Sequence, residues 1–364
     1  MKIKVKQDVF CKVLQKVSNI IGSRTTLPVL ANVWLSAEEG KLTLATTDLE
    51  IRFVTSVPAE VEEAGSTTLP AKKLLGLVSR FQGDISIESN ENFHANIRCG
   101  SADIMLLGLN PDDFPAAAAF DVLRSVKLKQ SELADIIERI SYAVSIEDSR
   151  KVLQGILLSI HEGKITAVAT DGKRLALVEK MLDGVPEGSD GDIIITLKAA
   201  QELKRVMEKE GDVILEIGEK QIIFRVGETV ITSKLIEGNY PNFRQVIPAS
   251  FKTTVNIQCA QFIYALELLS VTLADSTSPL VKLTFKNNQL LFEANSNIGE
   301  GSESIPVDYE GDEMSASFNP HYLLDPFKHL PNDQMQLKIN DVISPIALET
   351  SDGFLYVIMP MRSK

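Results

Sequence analysis

Cysteine and histidine are scarce in this 364-residue chain, which has three of one and four of the other, and no apolar run is long. Cys11, Cys99 and Cys259 are odd in number and far apart, which excludes a disulfide framework and a zinc site and fits a reducing compartment. Among His94, His161, His321 and His329 only the last two sit eight apart on one helical stretch, with no acidic or thiol partner in register. They read as two exposed helical histidines, and no metal is expected. No segment approaches the roughly 20 apolar residues that span a bilayer. The opening "MKIKVKQDVF" alternates charge with single apolar residues, so neither a signal peptide nor an anchor is expected and the cytoplasm is the default. Nucleotide-cofactor signatures are missing too. In "AVATDGKRLALV" (167–178), Ala167 and Arg174 occupy the places where a phosphate-binding loop needs Gly and Ser or Thr. "NIGEGSES" leads towards a strand and not into a helix, so it is no dinucleotide fingerprint. No cofactor is expected.

What remains is an ordinary globular composition, 44% hydrophobic and 24% charged, long enough for a large core in two or three domains. A formal charge of −12 argues against nucleic acid for the molecule as a whole, because affinity for phosphates comes from Lys and Arg. Charge is uneven, however: residues 249–364 carry 7 basic against 14 acidic residues, and residues 1–126 carry 13 against 15. A local basic face stays open.

Self-similarity is the strongest signal. "KQDVFCKVLQKVSNII", "KQSELADIIERISYAV" and "QCAQFIYALELLSVTL" superpose Phe10, Leu133 and Phe262, then Leu14, Ile137 and Leu266, Val17, Ile140 and Leu269, and Ile21, Val144 and Leu273. Each set is the stripe of an amphipathic helix. Downstream, each copy reads strand, turn, strand, turn, strand, with Asp48, Asp171 and Asn297 in step. The alternation around Asp171-Gly172 predicts a hairpin with those two residues at its join. A second helix follows in "AKKLLGLVSRF", "KAAQELKRVM" and "HYLLDPFKHL", and then more strands. The expectation is an α+β fold of three tandem repeats, 1–122, 126–248 and 252–364, with helices on one face of antiparallel sheets and Pro-rich connections between repeats.

No Ser/His/Asp or Cys/His set assembles, and a catalytic Asp needs no three copies, one of them an amide; no catalytic residue is named. On the helices, Lys12 and Lys16 lie opposite the apolar stripe, Lys72, Lys73 and Arg80 have no acidic residue between them, and the second repeat offers Lys198, Lys204, Arg205 and Lys209 amid three glutamates. These are either solvated helix faces or, being on equivalent elements, a phosphate-facing surface.

The triple repeat, "LPVL" after the first helix, "ATDGKRLA", "NYPNFRQVIP" and a terminal "YVIMPMR" together resemble the bacterial DNA sliding clamp family, the beta subunits of DNA polymerase III, over essentially the full length. The resemblance implies a polymerase processivity factor: a head-to-tail homodimer closed into a ring around double-stranded DNA, read without sequence preference. It further implies partners in the polymerase III alpha subunit, the clamp loader, other DNA polymerases and repair proteins. The implied DNA-facing residues are Arg24, Lys12, Lys16, Lys72, Lys73, Arg80, Arg150, Lys151, Lys198 and Arg205. A pocket for partner peptides would comprise Leu153, Thr170, Gly172, Lys173, Arg174, Leu175, Pro241, Val246, Ser344, Val357, Met359, Pro360, Met361 and Arg362. Paired edge strands would form the dimer, through Ile104 and Leu106 on one side and Glu300 and Glu303 on the other, with Thr272 and Leu273 nearby. Two readings compete with this one: a hydrolase acting at the Asp171 turn, and a β-rich scaffold that binds peptides without DNA.

Overall fold

The computed structural model describes residues 1–22, 27–182, 188–274, 278–297, 299–330 and 333–361. Two of the expected site residues, Arg24 and Arg362, lie outside them.

The helical stripes fold as their periodicity dictates. Helices α1 (Gln7–Ser18), α3 (Gln130–Ile140) and α5 (Cys259–Ser270) each open a repeat, while α2 (Ala71–Val78), α4 (Leu197–Val206) and α6 (Pro320–His329) follow the first set of strands. All twelve stripe positions from Phe10 to Leu273 are buried. Burial of side chains of this size contributes about 1.5–3 kcal/mol each. In α1, Asp8 in the first turn and Lys16 in the last suit the helix dipole, and no side chain caps the start at Lys6. In α5, Phe262 meets the edge of Phe292 on the sheet beneath, with ring centroids 5.2 Å apart.

The chain gathers into two units. The first draws on residues 1–134 and 198–235, the second on residues 135–182, 190–197 and 236–361. Each contains one eight-stranded antiparallel sheet and one smaller sheet. In the first unit the large sheet joins strands of repeats one and two where Ile51–Pro58 pairs with Thr229–Lys234, Phe53 opposite Ile231. In the second it joins repeats two and three where Arg174–Met181 pairs with Phe354–Ile358, Ala176 opposite Tyr356. Sheet hydrogen bonding therefore continues across both repeat boundaries. The smaller sheets end in the strands Ala102–Leu106 in the first unit and Gly299–Pro306 in the second.

The turns are wider than a two-residue hairpin. Thr170 pairs with Leu175, as Thr47 pairs with Arg52, so four residues make each reversal. The reason is the aspartate, whose carboxylate folds the loop back on itself. Asp171 Oδ1 accepts from the N–H groups of Lys173 (2.9 Å) and Arg174 (3.0 Å), and Asp48 Oδ1 from those of Glu50 (2.9 Å) and Ile51 (2.8 Å). In the third repeat Ala294 pairs with Gly301 as Ala169 pairs with Ala176. That register puts Ser296, not Asn297, in the place of the aspartate. Its hydroxyl donates to the Thr272 carbonyl at 2.6 Å.

Where the turn after Glu349 crosses the neighbouring strand, the Glu179 N–H donates to Gly353 O at 2.9 Å. Gly353 has φ of +90°, and a Cβ there would come within 2.3 Å of Glu179 O. Gly353→Ala is expected to destabilise the protein by at least about 2 kcal/mol through strain and overpacking. The denaturant midpoint measures this, and an unchanged midpoint would contradict the close approach.

Candidate functional site

Along the outer face of the second unit's large sheet, Leu157, Val168, Leu175, Leu177, Ile194, Ala347 and Val357 form a buried apolar cluster. Its centre is the directly opposed pair Leu175 and Val357. The chain that follows the second repeat lies over it with Tyr240, Phe243 and Ile247, while Val152 and Ile236 pack from the side. The Tyr240 hydroxyl reaches the Val168 carbonyl at 3.5 Å, and burial pushes its pKa up.

Of the residues expected to line a pocket here, Leu175 and Val357 are buried at the centre of this cluster. Met359 N–H donates to Lys173 O at 2.9 Å, and Met361 N–H to Ser317 O at 2.7 Å, so the apolar tail is tied down. Met359, Lys173, Gly172, Pro241 and Val246 are exposed, whereas Thr170, Pro360 and Met361 are half-buried. Thr170 is committed to the turn: its hydroxyl donates to Arg174 O and accepts from Gly172 N–H. Ser344 caps a local turn on Asp341, at 2.9 Å between hydroxyl and carboxylate. Leu153 is buried, but Val152 beside it is the residue that joins the cluster. Tyr240, Phe243, Ile247, Val152 and Ile236 escaped the sequence reading. The signal that finds them is the apolar outer face of both strands, a buried surface that needs a cover.

Arg174 does not line that face. Its guanidinium turns inward, donating to Asp171, Asp325 and Tyr142 O, and stands 4.4 Å over the Tyr322 ring. It ties the turn to α6. Nearby, His329 stacks on Tyr142 (4.9 Å, 8° between planes) and bonds Glu138 at 2.5 Å. His329 is thus no solvent-facing helical histidine: its acidic partner comes from α3, which helical spacing within α6 does not reveal. His321 is exposed.

The first unit repeats the arrangement with the cation supplied from the other side. Lys198, on α4, donates to Asp48 and, at 3.0 Å, to Ile20 O just beyond α1. In both units a cation therefore bridges the turn aspartate and a carbonyl that follows the repeat's first helix.

Among the expected phosphate-facing residues, Lys12, Lys72, Lys73, Arg80, Lys151 and Arg205 are exposed and Lys16 is half-buried. Lys12, Lys72 and Lys73 form no ion pair among the described residues. Arg205 holds Glu202, and Arg150 grips Asp148 at 2.8 Å, which draws that carboxyl down to about 2. On the edge strands, Leu106 and Leu273 are buried, Ile104, Glu303 and Thr272 half-buried, and Glu300 exposed. Among the described residues no group of three or more His, Cys, Asp or Glu side chains could hold a metal ion. Among the same residues no helix is long and apolar enough to cross a membrane.

Family profiles described as the N-terminal, central and C-terminal domains of the DNA polymerase III beta subunit match residues 1–118, 127–242 and 244–362. This chain belongs to the bacterial beta sliding clamp family. It is 33% identical to the beta sliding clamp of Chlamydia muridarum, over 100% of this chain and 99% of that one. To the beta sliding clamp of Staphylococcus aureus strain Mu50 it is 28% identical, with both chains covered completely. The crystal structures of the DNA polymerase sliding clamp from Bacillus subtilis (TM-score 0.95, 26% identity) and of the DNA polymerase III subunit beta from Pseudomonas aeruginosa (0.94, 30%) superpose over 100% of each chain. As a member of that family the clamp is a non-catalytic DNA polymerase processivity factor, which removes the hydrolase reading of the Asp171 turn.

The Asp48 bridge gives the clamp an acid-sensitive joint. Burial pushes the Asp48 pKa up, but the hydrogen bonds from Lys198, Ile51 and Glu50 outweigh it and leave the carboxyl below its ordinary 3.8. A carboxyl depressed in the folded state stabilises above its unfolded pKa, and the contribution disappears as pH falls through and below that value. Asp48→Asn should therefore lower the melting temperature at pH 7 by about 2–4 °C, the equivalent of about 1 kcal/mol for a partly exposed pair. Below pH 4 the difference should shrink. A gap that is constant from pH 7 to pH 3.5 would rule out the ionised bridge.

Proposed function

We propose that this clamp acts as a head-to-tail homodimer of three-domain subunits, with domains at 1–122, 126–248 and 252–364, closed around duplex DNA in the cytoplasm. The observation that carries the reading is the pattern of strand pairing. At both internal junctions the third strand after one repeat's opening helix pairs with the last strand of the next repeat. The corresponding strand of repeat three, Gly299–Pro306, and the last strand of repeat one, Ala102–Leu106, are left as sheet edges. A second copy supplies each with the missing neighbour, and two such junctions close the ring. Transferring the internal registers puts Ile104 opposite Gly301, Asp103 opposite Ser302 and Met105 opposite Glu300. Ile104 thereby comes to the position where Gly301 has no side chain and where Leu269 and Thr272 lie closest.

Topological closure removes the need for tight phosphate contacts, so a net charge of −12 is compatible with the exposed Lys12, Lys72, Lys73, Arg80, Lys151 and Arg205 meeting duplex DNA weakly. Arg24, Lys16 and Arg150 belong to the same proposed face, and Lys198 serves mainly as the internal bridge. The outer cluster around Leu175 and Val357, with Met359 and Met361 on its rim, is the proposed pocket for extended peptides of the polymerase alpha subunit, the clamp loader, other polymerases and repair proteins. Methionine suits such shared use because its flexible thioether repacks around different ligands.

Asp103→Cys with Ser302→Cys tests the ring. The two side chains face the same side of the shared sheet, so oxidation should yield a covalently closed dimer. Loaded on a nicked circular plasmid before oxidation, it should stay bound in high salt and leave only when the plasmid is linearised. A one-residue slip would turn the cysteines to opposite faces, and absence of cross-linked dimer would sink the register. Deletion of residues 360–364 tests the pocket. A buried wall contact of about 2 kcal/mol corresponds to roughly thirtyfold weaker peptide binding, with the dimer intact. Fluorescence anisotropy with a polymerase-tail peptide, run beside sedimentation, reads both, and undiminished affinity would refute the pocket.

A further inference from the structure

The first unit has a counterpart of the proposed peptide pocket, with one decisive change. Strand register equates Arg52 with Leu175 and Thr232 with Val357, because Arg52 pairs with both Thr47 and Thr232 as Leu175 pairs with both Thr170 and Val357. Around this position lies a cavity of about 170 Å³ lined by Thr47, Leu49, Arg52, Phe120, Gln221 and Thr232. It adjoins a second cavity of about 400 Å³ that shares Phe120 and Gln221 and extends past Ala119, Leu123 and Gly218. Together they form a groove beside the connecting segment 115–123. Leu49 and Leu123 are both exposed along it.

Unlike Arg174 and Lys198, Arg52 has no carboxylate partner among the described residues. Nη1 donates to Pro115 O, and the guanidinium stands 5.3 Å over the Phe114 ring. Nε has no hydrogen-bond partner and is shielded from solvent, as is the side-chain oxygen of Gln221. Glu50 lines the same cavity but is paired with Lys234 at 3.0 Å. The edge of the guanidinium that carries the unpartnered Nε also carries Nη2, and two parallel N–H bonds from that edge fit a carboxylate once the cover moves away. The amide of Gln221 can turn its NH₂ towards the same anion, since the two ends of a Gln side chain exchange by rotation.

The cover is weakly held. Among the described residues no backbone N–H from Ala116 to Val122 donates to another backbone carbonyl, and Ala116 to Ala119 are exposed. Leu49 adds to the picture with φ of +75°, where the second junction uses Gly172 at +83°. For a side chain of that size this is a costly conformation, and it lies at the groove's mouth.

We propose that this groove is a second partner-binding site, which takes an extended peptide through an Asp or Glu side chain seated on the open edge of Arg52 as segment 115–120 lifts. The site at the second junction takes apolar side chains because Leu175 and Val357 form its floor; here Arg52 and Thr232 replace them. A peptide is the occupant because the groove continues beyond the small cavity, leaving room for chain on the far side of Phe120.

Differential selection on the full-length protein tests this. A phage-displayed random heptapeptide library is panned in parallel on the wild-type clamp and on Arg52→Leu, which introduces the residue that the second junction already uses. Peptides enriched only on the wild type should be at least tenfold richer in Asp or Glu at one position. A synthetic member should bind at least tenfold more weakly to Arg52→Leu, and as weakly when its acidic residue becomes Leu. Gln221→Leu should weaken it severalfold, and it decides the matter should Arg52→Leu fail to melt cooperatively. Identical pools, a wild-type-specific pool without acidic residues, or free glutamate binding as tightly as the peptide would each overturn the proposal. Peptides of the second junction appear in both pools, so failure here leaves that reading standing.

Discussion

Unsatisfied backbone groups at a sheet edge are the constraint on which this molecule is built. A strand inside a sheet has both neighbours, and an exposed edge either finds one or remains a liability for aggregation. Each repeat offers two strands for pairing beyond itself, the third strand after its opening helix and the last strand of its second half. Four of those six are consumed at the two junctions within the chain, through Phe53 opposite Ile231 and Ala176 opposite Tyr356. The remaining two, at Ala102–Leu106 and Gly299–Pro306, call for a neighbour that a second copy of the chain can supply. Tandem repetition and the proposed dimer are thus one solution to one problem.

Joining strands is not sufficient to hold a junction at a defined angle, and the turn aspartates show how it is reinforced. Asp171 and Asp48 shape their own loops through backbone N–H groups and also anchor a cation that reaches an adjacent helix or carbonyl. The cation comes from the turn itself in Arg174 and from the facing helix in Lys198. In the third repeat the aspartate gives way to Ser296, a neutral hydroxyl, at the edge that has no internal partner. The charged bridge occurs where the junction lies within the chain.

The same repetition generates the grooves. A connecting segment must cross the outer face of each shared sheet, and it covers that face incompletely. At the second junction the face beneath that segment is apolar, around Leu175 and Val357. At the first it carries Arg52. Two similar frames therefore differ in chemistry through one opposed pair, Arg52 and Thr232 in place of Leu175 and Val357.

Much of this was legible in the residues alone. The three helix stripes, the alternating strands and the Pro-rich connections follow from side-chain periodicity and backbone restrictions, which act over a few residues and are written locally. The width of the Asp171 turn was not legible, because Asp-Gly permits a two-residue reversal and only the carboxylate's bonds to Lys173 and Arg174 select the wider one. The step of one residue from Asn297 to Ser296 was hidden for a similar reason: register is a property of paired strands, not of either strand. Arg174 read as part of the pocket and His329 as a solvated side chain, yet both turn inward to partners more than 150 residues away, Asp325 and Glu138. By itself the sequence determined which elements form and how often they recur. Tertiary structure alone decided which edges remain open, which charges are bridged and which grooves are exposed, because those depend on contacts between segments far apart in the chain.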